Sequence, residues 1–344
     1  MVNNKAVIFN KWVTDYPVIG EHFEYVANRE VTHELKEGEI LTRNLYVSMD
    51  PYLRAKMRGL DETDLFGRFT FGQPLDNHAI GEVIASKNPN IPVGEIVYSF
   101  LGWEEYSVVP AGQYVEIIKN ARESKLPLSA RIGVLGMPGF TAYGGLLRYG
   151  KPKAGETIYI SAASGAVGQL VGQMAKVLGL RVVGSAGSDE KIAYLLNELK
   201  FDAAFNYKNG DILTSLKAAA PEGIHIYFDN VGGRHLEAAL EWILPRGRVV
   251  MCGQIGDINT QNPPGVRNLF VCVPKEISIL AFLVLNFEDE YKAEFEKDVT
   301  EWLLSGKIVY KEDVTEGLEN APSAFLGMLQ GKNFGKATVK IADL

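Results

Sequence analysis

The spacing of apolar residues changes once along the chain. Up to about residue 128 they form short alternating runs, at 45–48, 81–85, 95–100 and 106–109, separated by proline and glycine. Alternation of period two predicts strands, so this portion reads as an irregular, strand-rich unit. From about residue 129, apolar strands alternate with helix-period segments. Such βα alternation predicts a parallel sheet covered by helices. The sharpest helix is 167–178, where Val167, Leu170, Val171, Met174, Ala175 and Leu178 place every apolar side chain on one face. Six strands are expected around it, at 157–162, 181–185, 203–206, 224–229, 248–252 and 277–285, with further helices at 189–199, 211–219, 234–244 and about 289–304. After Gly306 short mixed elements return and end in a strand-like run at 336–341. The tail is therefore expected to rejoin the first unit. This gives a discontinuous domain of 1–128 with 307–344, and a doubly wound α/β domain of 129–306.

Composition narrows the function. The chain has 344 residues, and 35 Lys and Arg against 42 Asp and Glu leave a net charge of −7, so it lacks the basic surplus that nucleic-acid binding needs. At this length folding buries roughly 75% of the extended chain's surface, enough for two cores. No uncharged apolar run reaches the roughly 20 residues that cross a bilayer, and residues 1–11 carry no cationic-then-apolar leader; an intracellular, membrane-free protein is expected. The two cysteines, Cys252 and Cys272, form no C-x-x-C pair and have no spaced histidine beside them. Neither a disulfide scaffold nor a cysteine-built metal site is expected.

The candidate chemistry begins between the first strand and helix of the α/β domain. Ala163, Gly165 and Gly168 follow G-x-G-x-x-G spacing with alanine in the first place. Gly165 allows a pyrophosphate close to the backbone, Gly168 allows the helix close to the strand, and the amides around Ala166 and Val167 face the anion. A small-residue turn can be purely structural, but a strand before it and an amphipathic helix after it favour a dinucleotide. At the tip of the second strand, where NAD enzymes usually place a carboxylate for the ribose 2′-hydroxyl, this chain has only Gly184, Ser185, Ala186 and Gly187. Room is left for a 2′-phosphate. Ser188 reads as an N-cap, which puts Lys191 in the first turn of the next helix, where an anion would compensate its charge. The opposing reading has Asp189 and Glu190 balancing Lys191, or Asp189 taking the ribose. NADPH is the expected cofactor. Other strand tips reach the same crevice: Tyr207, Asn230, Cys252, and Phe282, Leu283 and Val284 in the sixth strand. Each has an ordinary packing alternative.

At these residues the chain resembles the medium-chain dehydrogenase/reductase superfamily, and within it the zinc-free NADPH-dependent alkenal and enone double-bond reductases. The resemblance runs through Ser48-Met49-Asp50-Pro51-Tyr52-Leu53-Arg54, Trp103-Glu104-Glu105-Tyr106, GMPGFTAYG at 136–144, SAASGAVGQLVGQ at 161–173, AGSDEK at 186–191, FNYK at 205–208, FDNVGG at 228–233 and GKNFGK at 331–336. It implies a GroES-like, mostly β catalytic domain built from both chain ends, a Rossmann domain between them, and an active site in the cleft. It further implies that Gly187, Lys191 and Tyr207 hold the adenosine phosphate end, that Asn230, Cys252, Phe282 to Val284 and Asn333 contact the rest of NADPH, and that Tyr52 lies beside the substrate. A cytosolic homodimer is also implied. One departure stands out: Ile258 occupies the place where the group usually has a tyrosine. Either that tyrosine is dispensable, or Tyr52 or a ribose hydroxyl stabilises the enolate, or the substrate differs.

A chain without a zinc site lacks the usual electrophile for reducing a ketone to an alcohol. An enone asks for less. Hydride addition to its β-carbon builds charge on an oxygen that one or two neutral donors can stabilise, after which solvent protonates the α-carbon, so orientation and water exclusion do most of the work. The expected activity is therefore NADPH-dependent reduction of the C=C bond of α,β-unsaturated aldehydes and ketones. Quinone reduction is the rival within enzymes, and an NADPH-binding sensor or structural protein is the rival of another class.

Overall fold

A computed structural model describes residues 2–31, 34–59 and 67–344. The chain folds as two compact units, Met1–Gly133 with Glu312–Leu344, and Val134–Lys311. These boundaries lie five residues beyond those the hydrophobic pattern places at 128/129 and 306/307.

The first unit is built on a seven-stranded sheet. Its path runs Glu312–Glu316, Lys336–Lys340, Ile40–Ser48, Asp76–Ser86, Ile96–Gly102 and Val115–Ile117, with Tyr106–Val109 also paired to Ile40–Ser48. All neighbours are antiparallel except the first two, and the tail strand pairs Thr338 with Ser48 and Val339 with Val47. Leu45, Ile80, Ile96, Ile118 and Ile132 pack together as a core on this sheet. Alternation of such residues with polar neighbours is what makes the strands visible in sequence.

The second unit is a six-stranded sheet between helices. Met137–Gly144 (α1), continued by a π-helical turn at Gly145–Gly150, precedes Thr157–Ile160 (β1), Gly168–Val177 (α2), Arg181–Ala186 (β2), Asp189–Asn197 (α3), Ala203–Asn206 (β3), Ile212–Ala219 (α4), Ile224–Asp229 (β4), Gly233–Trp242 (α5), Ile243–Met251 (β5), Ser278–Ala281 (β6) and Glu288–Leu304 (α6). The strands are all parallel, in the order β3-β2-β1-β4-β5-β6. Chain order reverses direction beside β1, which opens a crevice at the carboxyl ends of β1 and β4. Strand β1 is buried on both faces, as a helix-covered parallel strand must be. Leu170, Val171, Met174 and Ala175 carry α2 onto the sheet, each at most 1% exposed. Gly179, at φ 80°, ends that helix, with the Leu180 amide bonding back to the Ala175 carbonyl.

Two expectations need correction. The sixth strand is four residues long, not nine: it stops at Ala281, Phe282 and Leu283 leave it, and Val284 opens a 3₁₀ turn ending at Phe287. Its apolar run is continuous because Phe282 and Phe287 pack as an aromatic cluster with each other and with Tyr149, so apolarity there reports packing and not strand. The helix expected at 234–244 ends at Trp242, and β5 begins at Ile243.

Candidate active site

In the α/β unit the 161–168 turn is fixed from within. The Ala163 amide bonds to the Ser185 carbonyl at 2.9 Å, the Gly165 amide to the Ala162 carbonyl at 3.0 Å, and Ala162 adopts φ 47°. A Cβ at Gly168 would meet the Ala162 carbonyl oxygen at 2.5 Å and Ala163 Cα at 2.8 Å, so α2 approaches β1 only because that side chain is missing. At Gly165 an added Cβ would meet only the Ala162 oxygen, at 3.2 Å. The amides of Ala166, Val167 and Gly168 lie at the N-terminal end of a ten-residue helix, where backbone N–H groups and the helix dipole attract an anion.

At the tip of β2 no carboxylate is available. Ser185 is fully buried, its Oγ 2.9 Å from Tyr159 Oη. Ser188 caps α3, accepting from the Lys191 amide at 3.3 Å. Asp189 Oδ1 accepts from the side-chain amides of Asn206 at 2.7 Å and Asn209 at 3.2 Å, which ties this carboxylate to the β3 tip. Gly187 and Tyr207 are brought together: a Cβ on Gly187 would lie 3.0 Å from Tyr207 Oη. The Tyr207 ring stands edge-on to His235 at 5.1 Å. Burial drives the His235 imidazole down to about 4, so it is neutral, and its Nδ1 lies 2.8 Å from Tyr159 Oη.

The tips of β1 and β4 are joined by Asn230, whose amide N–H bonds to Ser161 Oγ at 3.0 Å and whose side chain donates to the Ser161 carbonyl at 2.8 Å. Asp229 accepts from the Val231 and Gly232 amides and from Tyr227 Oη, and burial holds its carboxyl above the usual range. Cys252 follows β5 with its amide on the Asp229 carbonyl at 2.9 Å. Burial pushes its thiol up to about 12, so it is a packing group and not a nucleophile. Phe282 stacks on Tyr149 at 5.1 Å, and a Cβ on Gly145 would meet its ring at 2.7 Å. The Leu283 carbonyl accepts from the Asn286 amide, and Val284 is half-buried in the following turn. Ile258 is half-buried in the loop after β5.

In the β unit Tyr52 precedes a single turn of helix, and its hydroxyl donates to Asn77 Oδ1 at 2.5 Å. Burial, reinforced by the charges of Asp50 and Asp76, raises its phenol well above the usual value, which keeps it neutral. Its ring meets His78 edge-on at 6.3 Å, and His78 Nδ1 lies 2.5 Å from Tyr98 Oη. Asn333 sits in the turn before the last strand, donating to the Gly335 carbonyl at 2.8 Å. Sequence reasoning missed Asn77. Its signal is faint: one polar residue between Asp76 and His78, at the start of a strand whose apolar run follows.

Residues 5–117 match a family model described as the N-terminal domain of oxidoreductase, and residues 166–304 one described as zinc-binding dehydrogenase. The second description implies zinc, and the side chains do not fit it: among the described residues no three His, Cys, Asp or Glu side chains gather as metal ligands. The chain is 42% identical to the NADP(+)-dependent 2-alkenal reductase of Nicotiana tabacum, over 99% of this chain and 98% of that one. It is 43% identical to prostaglandin reductase 1 of Sus scrofa, over 99% of this chain and all of that one. Its fold matches the crystal structure of CurA in complex with NADPH from Vibrio vulnificus, with a TM-score of 0.90, 33% identity, and coverage of 99% of this chain and 100% of that one.

Proposed function

This chain belongs to the NADPH-dependent double-bond reductases of the medium-chain dehydrogenase/reductase superfamily, and from that premise we propose that it reduces the C=C bond of α,β-unsaturated aldehydes and ketones. The observation that carries the reading is the end-to-end kinship with a 2-alkenal reductase, on a chain whose β2 tip offers no carboxylate to a ribose 2′-hydroxyl.

Hydride addition to the β-carbon is the chemistry the bound dinucleotide supplies; the remaining requirements fall on side chains of this chain. The amides of Ala166, Val167 and Gly168 bind the pyrophosphate. Gly187, Lys191 and Tyr207 bind the 2′-phosphorylated adenosine end, with Gly187 giving the space and Lys191 the charge. Asn230, Cys252, Phe282, Leu283, Val284 and Asn333 serve the rest of the cofactor; Asn230 is the best supported of these, being anchored at both ends by Ser161. Tyr52 stands beside the substrate and orients it. The Tyr52 hydroxyl proton is already donated to Asn77 Oδ1, so the proton that completes the α-carbon is drawn from solvent. The test is product analysis with NADPH and a medium-chain 2-alkenal. Saturated aldehyde is the expected product, and allylic alcohol, or no oxidation of NADPH across a panel of enals and enones, would reject the assignment.

The working form is a homodimer joined at β6. That strand ends the sheet, three of its four residues are exposed, and in the segment that leads into it Phe270 is 79% and Val273 69% exposed. An edge strand flanked by apolar side chains favours a second copy over solvent. The absence of any helix long and apolar enough to cross a membrane among the described residues is compatible with a cytoplasmic enzyme.

A further inference from the structure

Behind Tyr52 lies a buried polar chain that the reaction as described does not use. Three adjacent strands deliver it: Lys336 opens the tail strand, Ser48 ends its neighbour with Asp50 just beyond, and Asn77 lies on the third. Lys336 Nζ donates to the Met49 carbonyl at 2.7 Å, the Ala337 carbonyl at 2.8 Å and Asp50 Oδ1 at 3.2 Å, which uses all three protons of an ammonium. Asp50 Oδ2 accepts from Ser48 Oγ and, at 2.9 Å, from Asn77 Nδ2, which also donates to the Ser48 carbonyl at 2.6 Å. Burial alone would raise the Asp50 carboxyl, but Lys336, His78 and the bonds from Ser48 and Asn77 outweigh it and hold it below the usual range.

The Asn77 amide has one workable orientation. Turned over, its oxygen would face a carboxylate and a carbonyl. Its Oδ1 therefore points at Tyr52, and the phenol proton is directed inward. We propose that Asn77 is a positioning residue for the reduction, fixing the Tyr52 oxygen before substrate arrives, with Ser48 and the Asp50–Lys336 ion pair fixing Asn77 in turn. The inference rests on the reading that Tyr52 meets the substrate. A buried ion pair is weak evidence for stability, because apolar residues of similar volume often serve as well; what this one gives is direction, and preorganised direction is what hydride transfer between neutral partners needs.

A double-mutant cycle on the full chain tests it, using NADPH and a 2-alkenal, with NADPH affinity followed by fluorescence. Tyr52→Phe and Asn77→Ser are each expected to lower kcat about tenfold with NADPH affinity unchanged, and the double variant to lose no more than Tyr52→Phe alone. Multiplying losses would mean that Asn77 acts apart from Tyr52, which overturns the proposal and leaves the placement of Tyr52 standing. A Tyr52→Phe enzyme as fast as the wild type removes that placement and the proposal with it. Asn77→Asp covers the case of a misfolded serine variant. It keeps an acceptor for Tyr52 but loses both amide donors, and the acid it introduces beside Asp50 regains a donor only when protonated. Its kcat is expected to rise as pH falls while the wild type's does not; parallel pH profiles would overturn the proposal.

Discussion

A methyl group separates two glycines of the phosphate turn. At position 168 it would collide with backbone at 2.5 Å, whereas at 165 it would press on one carbonyl at 3.2 Å and otherwise enter open space. Gly168→Ala is therefore expected to cost about 1–3 kcal/mol of stability, read from urea unfolding. Gly165→Ala should fold nearly normally and lose NADPH affinity, read by fluorescence titration, because its methyl intrudes where the pyrophosphate must come close. The spacing already assigns the helix approach to Gly168 and the ligand approach to Gly165; how tightly position 168 is closed is not legible there, since that depends on how near α2 lies to β1. His235 gives a pH prediction. Its folded value is near 4, held down by burial, against about 6.5 unfolded, so the unfolded chain takes up a proton first as pH falls. Stability should drop from about pH 6.5 and level off near pH 4, amounting to about 2 kcal/mol at pH 5. His235→Gln, which keeps an acceptor for Tyr159 but does not titrate, should lose less between pH 7 and pH 5 in the same denaturation series.

Local signals decide most elements. Ser188 reads as a cap from its place before Asp189 and Glu190, and its Oγ does accept from the Lys191 amide. The period of 3.6 places α2 to within a residue or two at each end. Where apolarity is continuous the pattern misleads, as at 277–285, because a buried strand and a buried aromatic cluster look alike without a period. The helix at Met137–Gly144 and its π-helical turn escape the pattern altogether, since Gly139, Gly144 and Gly145 suppress a helical signal. Those glycines are explained by what they touch: a Cβ on Gly144 would meet the Phe287 ring at 2.1 Å. Just ahead of the edge strand in the chain, the exposed Phe270 and Val273 carry the dimer prediction. Phe270→Glu with Val273→Glu should shift the species seen by light scattering from two chains to one, with the secondary structure of the α/β unit retained; an unchanged mass would place the interface elsewhere.

Across the whole molecule, cofactor choice should emerge as stability. A ligand that binds only the folded chain stabilises it by about 2.7 kcal/mol at a concentration one hundred times its Kd. NADP+ is expected to raise the Tm by several degrees and NAD+ at the same concentration by much less, and Lys191→Ala should narrow that gap; equal shifts would refute the 2′-phosphate assignment. The residues proposed to hold the dinucleotide lie mostly in consecutive βα turns, so their order along the chain already implies their meeting at one edge of a parallel sheet. The buried group behind Tyr52 is of another kind. Asp50 and Lys336 are 286 positions apart and meet because the tail strand registers Thr338 against Ser48. The sequence by itself determined the repeating βα units, the phosphate turn, the cap and the missing carboxylate, because each depends on neighbours a few residues away. Only the tertiary structure decided where the sixth strand stops, which way the Asn77 amide points and what holds Tyr52, because those follow from strand register and shared burial, which no local pattern encodes.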